Sequence, residues 1–561
     1  MQLFFRRLLC AIGTGLFFAV SLQAQETRSA AAETAQQLLE ERGEVILRFV
    51  KPAAIGFDFL TFLSIDNYRN DTVTAYATRE GYSRFLTLSI PFEVMQPPSL
   101  HPRRTGLLEK EGDWRSRYPA YDEYKALMEQ FSGDHPDLCR LVDFGTSVNG
   151  HKLLALEITD NPGIAEEEPV VLLSSTIHGD EVTGYVMMLR LIESLLTGYD
   201  TNAAIKRLVD SVDIWINPLA NPDGAYRLSD LSVEGAVRLN ANGIDLNRDF
   251  PIPEDPDWEN RTRQPETQAM MSLMADLRPV LAANFHGGAE LVNYPWDIWE
   301  RLHADNAWYW YISRAYADTV HVYSAAGYMD DRDDGITNGH NWYTVFGGRQ
   351  DYTNYYMRGR EVTIELSSDK IPPESALEDY WNYNRNGLLY FINRSLSGIT
   401  GNITDSITGN PVEAIVSIEN HDTDNSEILS SPLNGRYFRL TYSGHFVLLV
   451  KAKDYQTKRL VVYTLDGFLS HRDIRLKPLQ PLTVFPNPFS DHVRLNIDNP
   501  GEILQLEFFD LAGRKVRHIT RNVASAGNQN IGIPGLATGA YVVKVTYGSQ
   551  TATQIMVRLP E

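Results

Sequence analysis

A chain of 561 residues is too long for one ordinary core, and its length implies roughly three to five domains. With 51 basic against 72 acidic residues the net charge is −21, which argues against a nucleic-acid partner and favours solubility or attraction of cationic ligands. Only two cysteines occur, and Cys10 lies in the leader, so Cys139 stands alone in the mature chain with no intramolecular disulfide; large apolar cores must hold the domains, and 43% apolar residues can supply them.

The first segment, residues 1–24, places Arg6 and Arg7 before the apolar run Leu8 to Leu22 and ends on Gln23-Ala24, the pattern of a cleaved signal peptide. The run is short and Gly-containing, and no second such stretch follows, so no transmembrane helix is expected after its removal. Residues 25–112 join a Glu-rich helical start to alternating, strand-like segments at Val45–Phe49 and Phe85–Ile90, then break at Pro97-Pro98. That predicts a small N-terminal α+β domain, accessory or propeptide-like, and no motif decides between the two.

From 113 to 396, apolar runs at Val170–Leu173, Val212–Ile216 and Leu281–Phe285 alternate with helical stretches such as Tyr185–Leu196. Strands separated by helices predict an α/β domain with a mostly parallel mixed sheet flanked by helices, whose site forms beyond the carboxyl ends of the strands. Cys139 reads as a small buried hydrophobe. Short strands at Ala414–Ile418, His445–Lys451 and Lys458–Tyr463, broken by Gly, Asn and Asp turns, predict an all-β sandwich over 397–479, and a second all-β module fills 480–561.

His178 and Glu181 sit in Thr176-Ile177-His178-Gly179-Asp180-Glu181 directly after one strand-like run, and His286-Gly287-Gly288 follows another. Two imidazoles and a carboxylate form a three-ligand set that leaves the fourth position of a tetrahedral zinc open for water, the mark of a catalytic site. Taken alone, the His–Glu spacing also arises in surface loops and at capped helix starts, and a lone His286 is more often a satisfied buried histidine. The polar clusters Asn221-Pro222-Asp223-Gly224, Arg238 to Gly243 and Asp245 to Phe250, all between the ligands, favour the metal.

With those clusters the chain resembles the zinc metallocarboxypeptidases. The resemblance runs from about Tyr118 to Leu396, continues through Asn293–Asp297, Thr337–Tyr343, Gly347–Asp351 and Glu361–Ser367, and is strongest to the regulatory N/E-like subfamily of carboxypeptidases D, E and N. It implies one Zn2+ on His178, Glu181 and His286, with Asp245 orienting His178. It implies Glu365 as the base that takes a proton from the zinc-acidified water and returns it to the leaving amine, with Arg238 stabilising charge on the scissile carbonyl. Asn247 and Arg248 would hold a peptide's terminal carboxylate, and Tyr343 would close over it. Asp297, with Gln350 beside it, would receive a basic side chain, so the expected activity is release of Arg or Lys from peptide and protein C-termini. Residue by residue, the plainer readings stay open: Asp245 and Asp297 as turn or helix caps, Arg238 as a surface arginine, Tyr343 as a core aromatic and Glu365 as an exposed strand carboxylate. Glu290 and Trp296 depart from the family pattern beside the pocket.

The tail carries two further resemblances. Gly401–Asp405 with Gly409–Val412 is similar to the transthyretin-like sandwich that accompanies such enzymes. Phe485-Pro486-Asn487-Pro488, then Asp510–Arg514 and Gly539–Val543, is similar to a type IX secretion sorting domain. The second implies a secreted or cell-surface protein and the type IX machinery as a partner. A peptide-binding protein with a dead site, an amidase acting on non-peptides and a surface adhesin are the competing readings.

Overall fold

The structure is a computed structural model, and it describes residues 31–100, 113–257 and 260–560; the expected signal peptide lies outside them. Among these, no helix is long and apolar enough to cross a membrane. The chain divides into two compact units, one running to Leu396 and including Asp424–Ser426, the other formed by Ser397–Thr423 and Glu427–Glu561.

The first unit begins with a helix over residues 31–41 and an antiparallel sheet of four strands, β1 (Glu44–Val50), β2 (Ser64–Arg69), β3 (Thr72–Thr78) and β4 (Glu93–Met95), in the order β2-β3-β1-β4. Alternate residues Val45, Leu47 and Phe49 of β1 face Val73, Ala75 and Ala77 of β3 and form its core. The strand-like reading of Phe85–Ile90 is corrected here: Phe85 to Thr87 end the helix Arg79–Thr87. Thr78 starts that helix by accepting the Gly81 N–H, and Tyr82 and Phe85, three apart, are buried on one face.

The larger part of this unit is an eight-stranded mixed sheet of β5 (Cys139–Thr146), β6 (Lys152–Ile158), β7 (Val170–Ser175), β8 (Asp213–Asn217), β9 (Leu281–His286), β10 (Ala289–Tyr294), β11 (Ile336–Asn338) and β12 (Glu361–Ser367), in the order β11-β10-β12-β9-β7-β8-β6-β5. The central run β12-β9-β7-β8 is parallel, while β5 and β6 are antiparallel to their neighbours and β10 runs antiparallel to β12. Helix Thr183–Gly198 is buried through its first ten residues. A helix apolar on nearly every side is an interior element, and each Val, Met, Leu or Ile it removes from water contributes about 1.5–3 kcal/mol. Cys139 is buried and its thiol is pushed up to about 12 by burial, so it is inert at neutral pH.

In the second unit, strands from Gly398 to Leu476 form two sheets that share one apolar core, with Ile399, Ile403 and Ile474 facing Val416, Leu448 and Val462. From Val484 to Arg558 a three-stranded and a four-stranded sheet enclose a second core built on Val493, Leu495, Leu506, Phe508 and Val543.

Candidate active site

The site forms at the carboxyl ends of the central strands. β7 ends at Ser175, Thr176 adopts φ 59°, and the chain turns so that the Glu181 N–H donates to the His178 carbonyl (3.1 Å) just before helix Thr183–Gly198 begins. The turn puts both side chains on one side and sets the Glu181 carboxylate at a helix N-terminus, where the dipole favours negative charge. Gly179 permits this: a Cβ there would lie 2.2 Å from the Gly224 carbonyl carbon. Asn221 braces the same loop, donating to the carbonyls of Ile177 and Arg238.

β9 ends on His286, which brings its ring to that of His178 with centroids 4.7 Å apart. Glu181 Oε2 lies 3.0 Å from His178 Nδ1 and 2.8 Å from His286 Nδ1, and the two Nδ1 atoms are 3.1 Å from each other. Three buried donor atoms at these separations match the roughly 3.3 Å edge of a tetrahedron of zinc ligands. The far nitrogens are engaged elsewhere, His178 Nε2 with Asp245 Oδ1 (3.0 Å) and His286 Nε2 with the Asn284 amide (2.7 Å), which leaves both Nδ1 atoms for the ion.

The electrostatics suit a cation. Burial pulls His286 down to about 4, so its ring is neutral, the form that binds metal. Burial and Arg238 also oppose charge on His178, but Glu181 and Asp245 outweigh them and raise it. Burial works against the Glu181 and Asp245 carboxylates too, yet the neighbouring histidines, with Lys370 and Arg238, hold both well below the usual range. Asp245 also accepts the Asn247 N–H (2.8 Å), so it caps the turn Leu246–Arg248 while its carboxylate touches His178.

Glu365 is the cross-strand partner of His286, β12 against β9, and both line one cavity. It is 9% exposed, and its Oε2 is buried with no hydrogen-bond partner. Burial, then the charge of Glu181, pushes its carboxyl well above the usual range. The reading of an exposed strand carboxylate is thereby excluded.

The same cavity is lined by Arg238, Asn247, Arg248, Tyr343 and Asp297. Arg238 is fully buried, not a surface arginine, and its Nη1 lies 3.0 Å from Glu181 Oε1. Asn247 Oδ1 accepts the Arg349 N–H (2.9 Å), and Arg248 follows it on the turn Leu246–Arg248. Asp297 is buried and accepts from Asn293 (3.0 Å) and Gln350 (2.9 Å), so it caps no turn; a Cβ on Gly339 would meet its Oδ1 at 1.7 Å. Burial pushes Asp297 up to about 6. Behind it, Asp351 accepts the N–H groups of Asp297 (3.0 Å) and Ile298 (2.9 Å) and fixes the backbone that carries the acid. Trp296 is fully buried against Trp299 and His303, which keeps its bulk out of the cavity.

Residues 124–387 match the family of zinc carboxypeptidases, and residues 483–558 match the secretion system C-terminal sorting domain. The catalytic chain of mouse (Mus musculus) carboxypeptidase N is 33% identical over 386 residues, an alignment covering 62% of this chain and 83% of the mouse protein. The chain belongs to the zinc carboxypeptidases. Carboxypeptidase D of Anas platyrhynchos is 34% identical over 70% of this chain and 29% of its own length. Among solved structures, carboxypeptidase A of Helicoverpa armigera aligns with 62% of this chain at 18% identity and a TM-score of 0.49. This carboxypeptidase is thus a zinc metallopeptidase with peptide substrates, and its sorting tail makes it a secreted or cell-surface protein.

Lys370 was not among the expected site residues of the carboxypeptidase. Its ammonium lies 2.7 Å from Glu181 Oε1 and 4.0 Å from Asp180, adding a second buried cation beside Arg238. Its only sequence signal is a lysine just past the Glu365 strand, in Ser368-Asp369-Lys370. The N-terminal domain also reaches into the site, with Ser64 and Asp66 on Arg238, a contact that no motif announced.

Proposed function

We propose that this secreted zinc carboxypeptidase removes Arg or Lys from peptide and protein C-termini. His178, Glu181 and His286 hold the zinc, which when bound supplies a Lewis acid that acidifies water and polarises the scissile carbonyl. Glu365 takes the water's proton on its unpartnered Oε2 and returns it to the leaving amine, a role suited by its upward shift. Arg238 steadies the developing carbonyl charge, and Asp245 keeps His178 in its ligating tautomer. Arg248 and Asn247 take the terminal carboxylate, and Tyr343 covers it.

The observation that carries the residue preference is Asp297: a buried carboxylate at the cavity wall whose side-chain partners, Asn293 and Gln350, are neutral amides. A guanidinium or ammonium entering there would complete it. Matched peptides ending in Arg, Lys, Leu and Phe, assayed with and without a zinc chelator, test the reading. Chelator-sensitive release of Arg and Lys ahead of Leu and Phe is expected; preference for Leu or Phe would remove Asp297 from its role, and no release of any residue would sink the function.

The organisation we assign is a signal peptide at 1–24, an N-terminal domain at 25–112, the peptidase at 113–396, a transthyretin-like sandwich at 397–479 and a sorting sandwich at 480–561 that engages the type IX machinery. The two shared cores of the second unit support the last two modules.

A further inference from the structure

Glu181 divides its two oxygens between two sets of partners. Oε2 lies 3.0 Å from His178 Nδ1 and 2.8 Å from His286 Nδ1, and it accepts the Gly287 N–H (3.2 Å). Oε1 instead accepts from Arg238 Nη1 (3.0 Å) and Lys370 Nζ (2.7 Å). A carboxylate left to itself can offer a metal one oxygen or both, and binding by both would crowd the position that a catalytic zinc keeps for water.

Lys370 stands just past the end of β12, the strand of Glu365, and is 5% exposed. Its backbone and stem fix where the ammonium goes. The Lys370 carbonyl accepts the N–H of Val182, the residue after Glu181 (3.2 Å), and Glu290 Oε1 accepts the Ser368 N–H (3.0 Å), anchoring the segment that leads to the lysine. The stem passes Gly288, which has φ 118° and where a Cβ would lie 3.2 Å from Lys370 Cε. The segments that carry Glu181, His286 and Glu365 therefore meet at one side chain.

We propose that Lys370 is a positioning residue for the metal centre, its ammonium holding Glu181 Oε1 so that Glu181 ligates through Oε2 alone. The proposal rests on the carboxypeptidase reading of the site. Of the two donors on Oε1, Arg238 is the one whose role takes it to the scissile carbonyl, so Lys370 is the donor that stays while substrate is bound. A hydrogen bond between an ammonium and a carboxylate is roughly twice as strong as a neutral one, enough to keep the carboxylate from turning. Lys370 also meets Asp66 Oδ1 (2.5 Å) and lies 4.0 Å from Asp180 Oδ1, so balancing those two charges is the competing role.

The test is made on the full mature chain. Wild type, Lys370→Met and Lys370→Arg are stripped of metal and titrated with zinc against a chromophoric chelator, and Co2+ is then loaded in place of zinc to read coordination from its visible absorption. Lys370→Met is expected to bind zinc about 10–100-fold more weakly, the usual loss when the partner of a ligand is removed, and to show the weaker Co2+ bands of a higher coordination number. Lys370→Arg, which can still donate to Oε1, should return both readings toward wild type. Unchanged zinc affinity with an unchanged Co2+ spectrum in Lys370→Met would overturn the proposal and leave the lysine as a counter-charge to Asp66 and Asp180. Should Lys370→Met not fold, a crystal structure of the zinc-loaded wild type decides: Oε2 on zinc with Oε1 on Lys370 supports the assignment, and both oxygens on zinc refute it. None of these readings needs a peptide, so a failure to hydrolyse any would sink the proposed function while the metal measurements still judge Lys370.

Discussion

Two walls of one cavity are finished in opposite ways. On the metal wall the charges other than Glu365, whose Oε2 has no partner, are answered more than once: Glu181 by two histidines, Arg238 and Lys370; Arg238 by Ser64, Asp66 and Asp245; Arg248 by the Ile65 and Asn247 carbonyls. On the opposite wall Asp297 has only amide donors on its side chain, and burial lifts it to about 6. A buried acid left with neutral partners is unfinished as structure and ready for a cation, whereas charges paired with one another hold each other in place. The N-terminal domain contributes to the first wall and leaves Asp297 to the peptidase.

The comparison breaks most sharply on the metal wall. Glu365→Gln should lower kcat by about 10²–10⁴-fold, the usual worth of a positioned general base, with KM and zinc content nearly unchanged. His178→Ala should instead lose the zinc, measurable by metal analysis after gel filtration. Full zinc occupancy with near-normal kcat in Glu365→Gln would remove that residue from the chemistry.

On the other wall the expected loss is smaller and selective. Removing one partner of a buried charge pair costs about 3–5 kcal/mol, so Asp297→Asn should cut kcat/KM for Arg and Lys peptides at least about 100-fold and leave Leu peptides little changed. The wild type should show the same selectivity against pH. Asp297 is raised, so it carries its charge above about 6 and loses it as pH falls through that value. Release of Arg relative to Leu should then drop by about tenfold per unit below pH 6, with Leu release controlling for titration on the metal wall. A flat Arg-to-Leu ratio from pH 7 to 5 would show that Asp297 does not face the bound cation.

What could be read from the chain follows the same division. His178, Glu181, His286 and Glu365 were legible because each belongs to a short contiguous motif at a strand or strand end, and strand order follows from alternating apolar runs and helices. Lys370 and Asp66 were not, because their contact joins positions 304 residues apart and nothing in Ser64-Ile65-Asp66-Asn67 marks a ligand of an enzyme. The segment beginning at Phe85 failed for a local reason. Alternation over a few residues satisfies a strand, yet Tyr82 and Phe85 also fall on one helical face, and the Thr78 cap tips the balance. Asp245 shows that a capping bond and a bond to His178 need not compete, since it makes both.

The smallest effect is expected where the two walls meet. Tyr343 lines the cavity, packs against Trp342 with centroids 5.3 Å apart, and lies near the Phe57 ring at 6.3 Å. Its aromatic body is thus held by packing in the intact chain, and only its hydroxyl can distinguish a bound carboxylate from none. A single hydrogen bond contributes about 0.5–1.5 kcal/mol, so Tyr343→Phe should raise KM about two- to tenfold for every peptide tested, with kcat kept. The loss should be the same for Arg and Leu peptides, because the terminal carboxylate is common to both. A fall in kcat at constant KM would move Tyr343 from holding the chain end to the metal wall's chemistry, and a loss confined to Arg peptides would move it to the wall of Asp297.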